Sequence, residues 1–99
     1  MKHTVKGDTV TVYLDGELDH HTAKGVRAEL EALIESPRVK RLVLDLSGLT
    51  FMDSSGIAVL MRALRQMQQL GGSLRVTAIP LQARRVLDAA GVGRLITLE

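Results

Sequence analysis

Ninety-nine residues with one Phe, one Tyr, no Trp and no Cys leave room for a single modest core built of aliphatic side chains. The lack of cysteine excludes disulfide staples, thiolate metal sites and cysteine nucleophiles. A net charge of +2 that alternates in sign along the chain, no apolar run near the roughly 18 residues of a membrane span, and a start (Met1-Lys2-His3-Thr4) unlike a signal peptide point to one cytoplasmic domain over residues 1–99 with no direct role on nucleic acid. The pairs Arg62/Arg65 and Arg84/Arg85 come nearest to a basic patch, and a solvated helix face accounts for them.

Residues 3–6 suit an edge strand, and Gly7-Asp8 is a two-residue hairpin signal. From Thr9 to Leu14 the pattern alternates: Val10, Val12 and Leu14 face one way, Thr9, Thr11 and Tyr13 the other. The polar run Asp15-Gly16-Glu17-Leu18-Asp19-His20-His21-Thr22 breaks that strand and leads into a helix, with Asp19 or Thr22 as N-cap. Ala23, Val26, Leu30, Leu33 and Ile34 form one face of a helix reaching Ser36, interrupted by Gly25 and stopped by Pro37. Residues 39–46 hold Leu42-Val43-Leu44, a continuous apolar run that predicts a strand buried on both faces.

A loop rich in Ser and Gly then precedes a long helix over residues 54–70, which Gly71-Gly72 ends. Leu74, Val76 and Ala78 alternate as a strand. Pro80 opens a third helix with Ala83, Val86, Leu87 and Ala90 inward, and residues 95–98 make a last strand. The order ββαβαβαβ predicts an α/β fold: a mixed, mostly parallel sheet with its helices mainly on one face.

On a helical wheel the apolar residues of 54–70 span about 200°, twice the roughly 100° that packs one helix on a core. Neighbours on both sides of a middle helix explain such width, and so does a partner protein at one edge. Ser54, Ala58, Met61 and Arg65 share one stripe at i, i+4, i+7, i+11 spacing. A protein that docks on Ser54 would therefore also touch Ala58 and Met61, and the small Gly56 and Ala58 would let it come close.

Asp53-Ser54-Ser55-Gly56 at the start of this helix admits three readings. One of these residues caps the free backbone N–H groups. Alternatively, Ser54 or Ser55 is a nucleophile with His20 or His21 as base, but the Gly-x-Ser-x-Gly elbow is missing and no acid or oxyanion hole is evident. In the third, a serine carries a phosphate, whose charge of about −1.5 to −2 a helix N-terminus accepts and a docked partner does not. Metal binding by His3, His20 and His21 lacks a ligand pattern, and nucleotide binding lacks either glycine-rich phosphate loop. The residues alone do not choose between Ser54 and Ser55.

The runs GELDHHTA, LDLSGLTFMDSSGIAVLMRALRQMQQLGG and AIPLQARRVLDAAGVGRLITLE together resemble the STAS-type anti-sigma factor antagonists over nearly the whole chain. GELDHHT with FMDSSG is most similar to the antagonists of the sporulation anti-sigma F factor. The resemblance implies a STAS fold and a protein that is not an enzyme and needs no metal or cofactor. Unphosphorylated, such a protein binds an anti-sigma factor that is also a serine kinase and frees a sigma factor for transcription. The kinase phosphorylates the serine matching Ser54, and a metal-dependent serine phosphatase reverses this. Asp19, His20 and His21 match the family's docking loop, beside Asp53, Ser54, Ser55, Gly56, Ala58 and Met61. A STAS module can also serve as an adaptor in a transporter or a stressosome-like assembly, which is the alternative expectation.

Overall fold

The hairpin signal and the alternation after it set up the sheet. In the computed structural model, which describes residues 1–36 and 38–99, Lys2–Lys6 (β1) pairs antiparallel with Thr9–Leu18 (β2) across Gly7-Asp8. Arg41–Met52 (β3), Ser73–Thr77 (β4) and Thr97–Leu98 (β5) follow in parallel, giving a five-stranded mixed sheet in the order β1-β2-β3-β4-β5. The crossovers carry helices Ala23–Ile34 (α1), Ser54–Gln69 (α2) and Leu81–Ala89 (α3), and a 3-10 turn at Val92–Arg94 precedes β5. Because each strand joins the same growing edge, all three helices land on one face. There Val10, Val12, Leu14, Leu42, Leu44 and Val76 meet Leu30, Ile34, Leu60, Met67 and Leu87 in one buried cluster.

The other face is open. Thr9 and Thr11 are half-buried, and Tyr13, Arg41 and Arg75 are exposed. Burial of β3 on both faces therefore holds only at Val43, which lies between Thr11 and Arg75 in register. The stems of such neighbours are enough to cover one valine.

The structure departs from the sequence pattern at several element ends. β2 does not stop at Leu14 but continues through Asp15-Gly16-Glu17 to Leu18, and β3 continues past Leu46 to Met52 beside it. Two register shifts, between Tyr13 and Asp15 and between Gly16 and Glu17, accommodate the extension. Its side chains are mostly exposed, so backbone pairing rather than alternation makes it a strand. Ala78 leaves β4: the ladder with β3 ends at Thr77, and Ala78 takes φ +53 to turn the chain toward Pro80 and α3. Ala90 is exposed as the C-cap of α3, and Leu95 precedes β5 with its side chain exposed. The expectation that Pro37 stops α1 falls outside the described residues; α1 ends at Ile34.

α2 ends as its sequence predicts. Gly71, at φ +73, donates to the Gln68 carbonyl at 3.0 Å, and Gly72 donates to the Met67 carbonyl at 2.8 Å. This is a Schellman closure, in which the left-handed residue is almost always glycine.

Candidate functional site

Leu18 and Met52 are paired at the carboxyl ends of β2 and β3, so the two segments that follow emerge side by side. The Asp53 N–H donates to the Leu18 carbonyl at 3.2 Å, tying the start of α2 to the end of β2. The segments carrying Asp19-His20-His21 and Asp53-Ser54-Ser55 are distant in sequence but meet here.

Asp53 is the cap of α2. Its backbone is extended, its carboxylate accepts the Ser55 N–H at 2.8 Å, and its carbonyl accepts the Gly56 N–H at 3.0 Å. An aspartate suits this place, since its charge faces the positive end of the helix. Neither serine is therefore needed as a cap. Ser54 is the first helical residue and is exposed, and its hydroxyl makes no hydrogen bond among the described residues. Ser55 is half-buried and turns toward α1. The two hydroxyls, equivalent in the sequence, are thus distinct in the fold, and Ser54 is the more exposed of the two.

Gly56 lies beneath the site. A Cβ on it would stand 2.7 Å from Met52 Cγ and 3.1 Å from Leu18 Cδ2. It lets the helix start sit directly on the ends of β2 and β3. It does not share the face of Ser54, contrary to the expectation that it would lower the approach there. Ala58 and Arg65 are exposed on the Ser54 stripe, and Met61 is half-buried with its body against the core.

Asp19 holds the other segment. Its carboxylate accepts the His21 N–H at 2.9 Å and the Thr22 N–H at 3.1 Å. The Thr22 hydroxyl donates back to the Glu17 carbonyl at 2.9 Å and accepts the Asp19 N–H at 3.0 Å. Thr22 occupies the N-cap position of α1 without a side-chain cap bond, so Asp19 orders this turn. Chiefly the Thr22 N–H, opposed by desolvation and helped by the His21 N–H, holds the Asp19 carboxyl below its ordinary pKa. It therefore stays ionised at neutral pH, within the same rim as Asp53.

His20 and His21 are exposed, with ring centroids 5.8 Å apart. His20 and Ser55 line one groove between α1 and α2, but neither histidine hydrogen-bonds a serine among the described residues. Also among the described residues, no three acidic or imidazole groups are gathered closely enough to hold a metal ion. No helix there is long and apolar enough to cross a membrane.

Sequence reasoning missed one supporting residue. The Gln82 side chain accepts the Met52 N–H and donates to the Met52 carbonyl, both at 2.8 Å. A side-chain amide thus replaces a neighbouring strand at the last residue before Asp53, and α3 fixes the platform on which Ser54 stands. Nothing in the local pattern around Pro80 signals this, since the partner is 30 residues away.

The entire chain, residues 1–99, matches the family model described as the STAS domain. It is 36% identical over 87 residues, 88% of this chain and 74% of the other, to a Paenibacillus polymyxa protein named anti-sigma F factor antagonist. Among solved structures, the unphosphorylated form of the anti-sigma factor antagonist SpoIIAA is 25% identical with a TM-score of 0.74, covering 99% of this chain and 86% of that one. The Bacillus cell fate determinant SpoIIAA in its phosphorylated form is 27% identical with a TM-score of 0.75, covering 99% and 89%.

Proposed function

The chain belongs to the STAS family, and from that premise we propose that it acts in the cytoplasm as an anti-sigma factor antagonist, by binding rather than by catalysis. In the unmodified state it docks on an anti-sigma factor that is also a serine kinase, and the sigma factor held there, the sporulation sigma F, is released. The observation that carries this reading is the exposed, uncommitted hydroxyl of Ser54 on the first turn of α2, with Asp53 already serving as the cap.

Phosphorylation of Ser54 ends the complex, and a metal-dependent serine phosphatase restores it. The phosphate disturbs the fold little, because a helix N-terminus favours an anion. It acts on the interface: charge is added beside Asp53 and Asp19, and any partner group seated on Ala58 and Met61 meets a dianion it must desolvate. The contact surface comprises Asp19, His20, His21, Asp53, Ser54, Ser55, Ala58 and Met61, with Gly56 shaping it from below.

The test is displacement. Unmodified protein added to a preformed complex of the anti-sigma factor and its sigma factor is expected to restore sigma-dependent transcription in vitro. Transcription that stays repressed at saturating protein, with a complex shown to dissociate on dilution, would contradict the proposal.

A further inference from the structure

The groove between α1 and α2 opens beside Ser55 and encloses about 400 Å³. Its walls carry Lys24 and Arg27 from α1 and Arg62 and Arg65 from α2, and no carboxylate lines it. Spacing explains the convergence: both pairs are three residues apart, so each helix turns two cations to the same side. Glu31 stands at the far end, 2.5 Å from Arg62 and 3.9 Å from Arg27. Lys24 and Arg65 have no carboxylate within ion-pair distance among the described residues. Beyond Arg62 the same furrow becomes mixed, with Glu31 and Glu35 on its wall. The cationic half is therefore the half next to the serines, and Ala58 and Arg65 belong both to it and to the Ser54 stripe.

Four clustered cations with one partner acid between them repel one another, at a cost that a bound anion removes. We infer that this groove receives an acidic segment of the anti-sigma factor, extending the Ser54 surface sideways onto α1 and steering the encounter. The inference rests on the functional reading above and adds to it the chemistry of the partner. Charge at the edge of an interface governs association rate and salt dependence more than the lifetime of the complex.

The test uses the full chain and stopped-flow mixing with the anti-sigma factor across a series of salt concentrations. The double variant Lys24→Glu/Arg65→Glu is expected to associate roughly tenfold more slowly at low salt and to lose most of its salt dependence, with dissociation little changed. Lys24→Gln/Arg65→Gln is expected to fall between. Gln68→Glu adds a negative charge on an exposed part of α2 outside the groove, and is expected to associate like wild type. Wild-type rates and salt dependence in both double variants would overturn the inference and leave the functional reading standing. Slowing by Gln68→Glu equal, per unit of charge changed, to that of Lys24→Glu/Arg65→Glu would overturn it too, by showing that only total charge matters. Failure of the wild-type chain to bind would overturn the reading and the inference together. Tight binding of a nucleic acid duplex by wild type, abolished in both double variants, would assign the groove to another ligand and overturn the inference.

Discussion

Ser54→Asp is expected to weaken binding to the anti-sigma factor about a hundredfold, close to 3 kcal/mol, in a calorimetric titration, while the thermal midpoint stays within about 2 °C of wild type. Both halves follow from the position of one residue. The Ser54 side chain points away from the core, makes no hydrogen bond among the described residues, and belongs to the first turn of α2. A carboxylate there loses no packing and gains a favourable interaction with the helix dipole, worth about 0.3–1 kcal/mol. At the interface the same charge must be desolvated beside Asp53 and Asp19, which are already negative, and a buried charge with no partner costs several kcal/mol. Ser54→Ala is the complement: it is expected to bind like wild type and to remain bound in the presence of ATP. Wild-type affinity in Ser54→Asp would remove Ser54 from the interface.

The second large effect is on stability. Gly56→Val is expected to destabilise the fold by about 3 kcal/mol, seen as a fall of roughly 15 °C in the thermal midpoint. A Cβ at Gly56 would come 2.7 Å from Met52 Cγ and 3.1 Å from two atoms of Leu18. Both neighbours are almost wholly buried, at 0% and 1% exposure, so neither can swing aside. Gly25, in the exposed part of α1, is the internal control. Nothing lies within 4 Å of its Cβ position, so Gly25→Ala is expected to stabilise by about 1 kcal/mol through helix propensity. Opposite signs from two helical glycines would establish that close packing, not glycine content, determines the first. An unchanged midpoint in Gly56→Val would mean that α2 can shift away from the sheet ends without loss.

What the sequence made legible was whatever its periodicity reports. Val10-Val12-Leu14 and Leu74-Val76 announce half-buried strands, and the faces of α1 and α2 follow from spacing alone. Periodicity is silent where side chains point to solvent. Asp15-Gly16-Glu17 therefore reads as a loop although its backbone completes a parallel ladder with Gly48–Phe51. That extension matters, because it carries Asp19 to the rim where Asp53 also emerges.

Ser54 and Ser55 could not be separated from sequence for a similar reason. Their difference depends on which side α1 occupies, and that is set by the handedness of the crossovers and the order of strands. Of the four groove cations, Arg62 and Arg65 read as an ordinary solvated face in the sequence, and nothing there singled out Lys24 and Arg27. Only the packing of α1 on α2 turns two unremarkable pairs into one cluster. Gln82 was hidden more deeply, since a two-point clamp on Met52 is a tertiary accident of where α3 begins.

The most direct measurement is the site of modification. The protein is incubated with its anti-sigma kinase and ATP, digested, and residues 46–62 are read by fragmentation mass spectrometry. Phosphate is expected on Ser54 and none on Ser55. Phosphate on Ser55 instead, or none at all with a kinase shown to be active, would contradict the proposed switch.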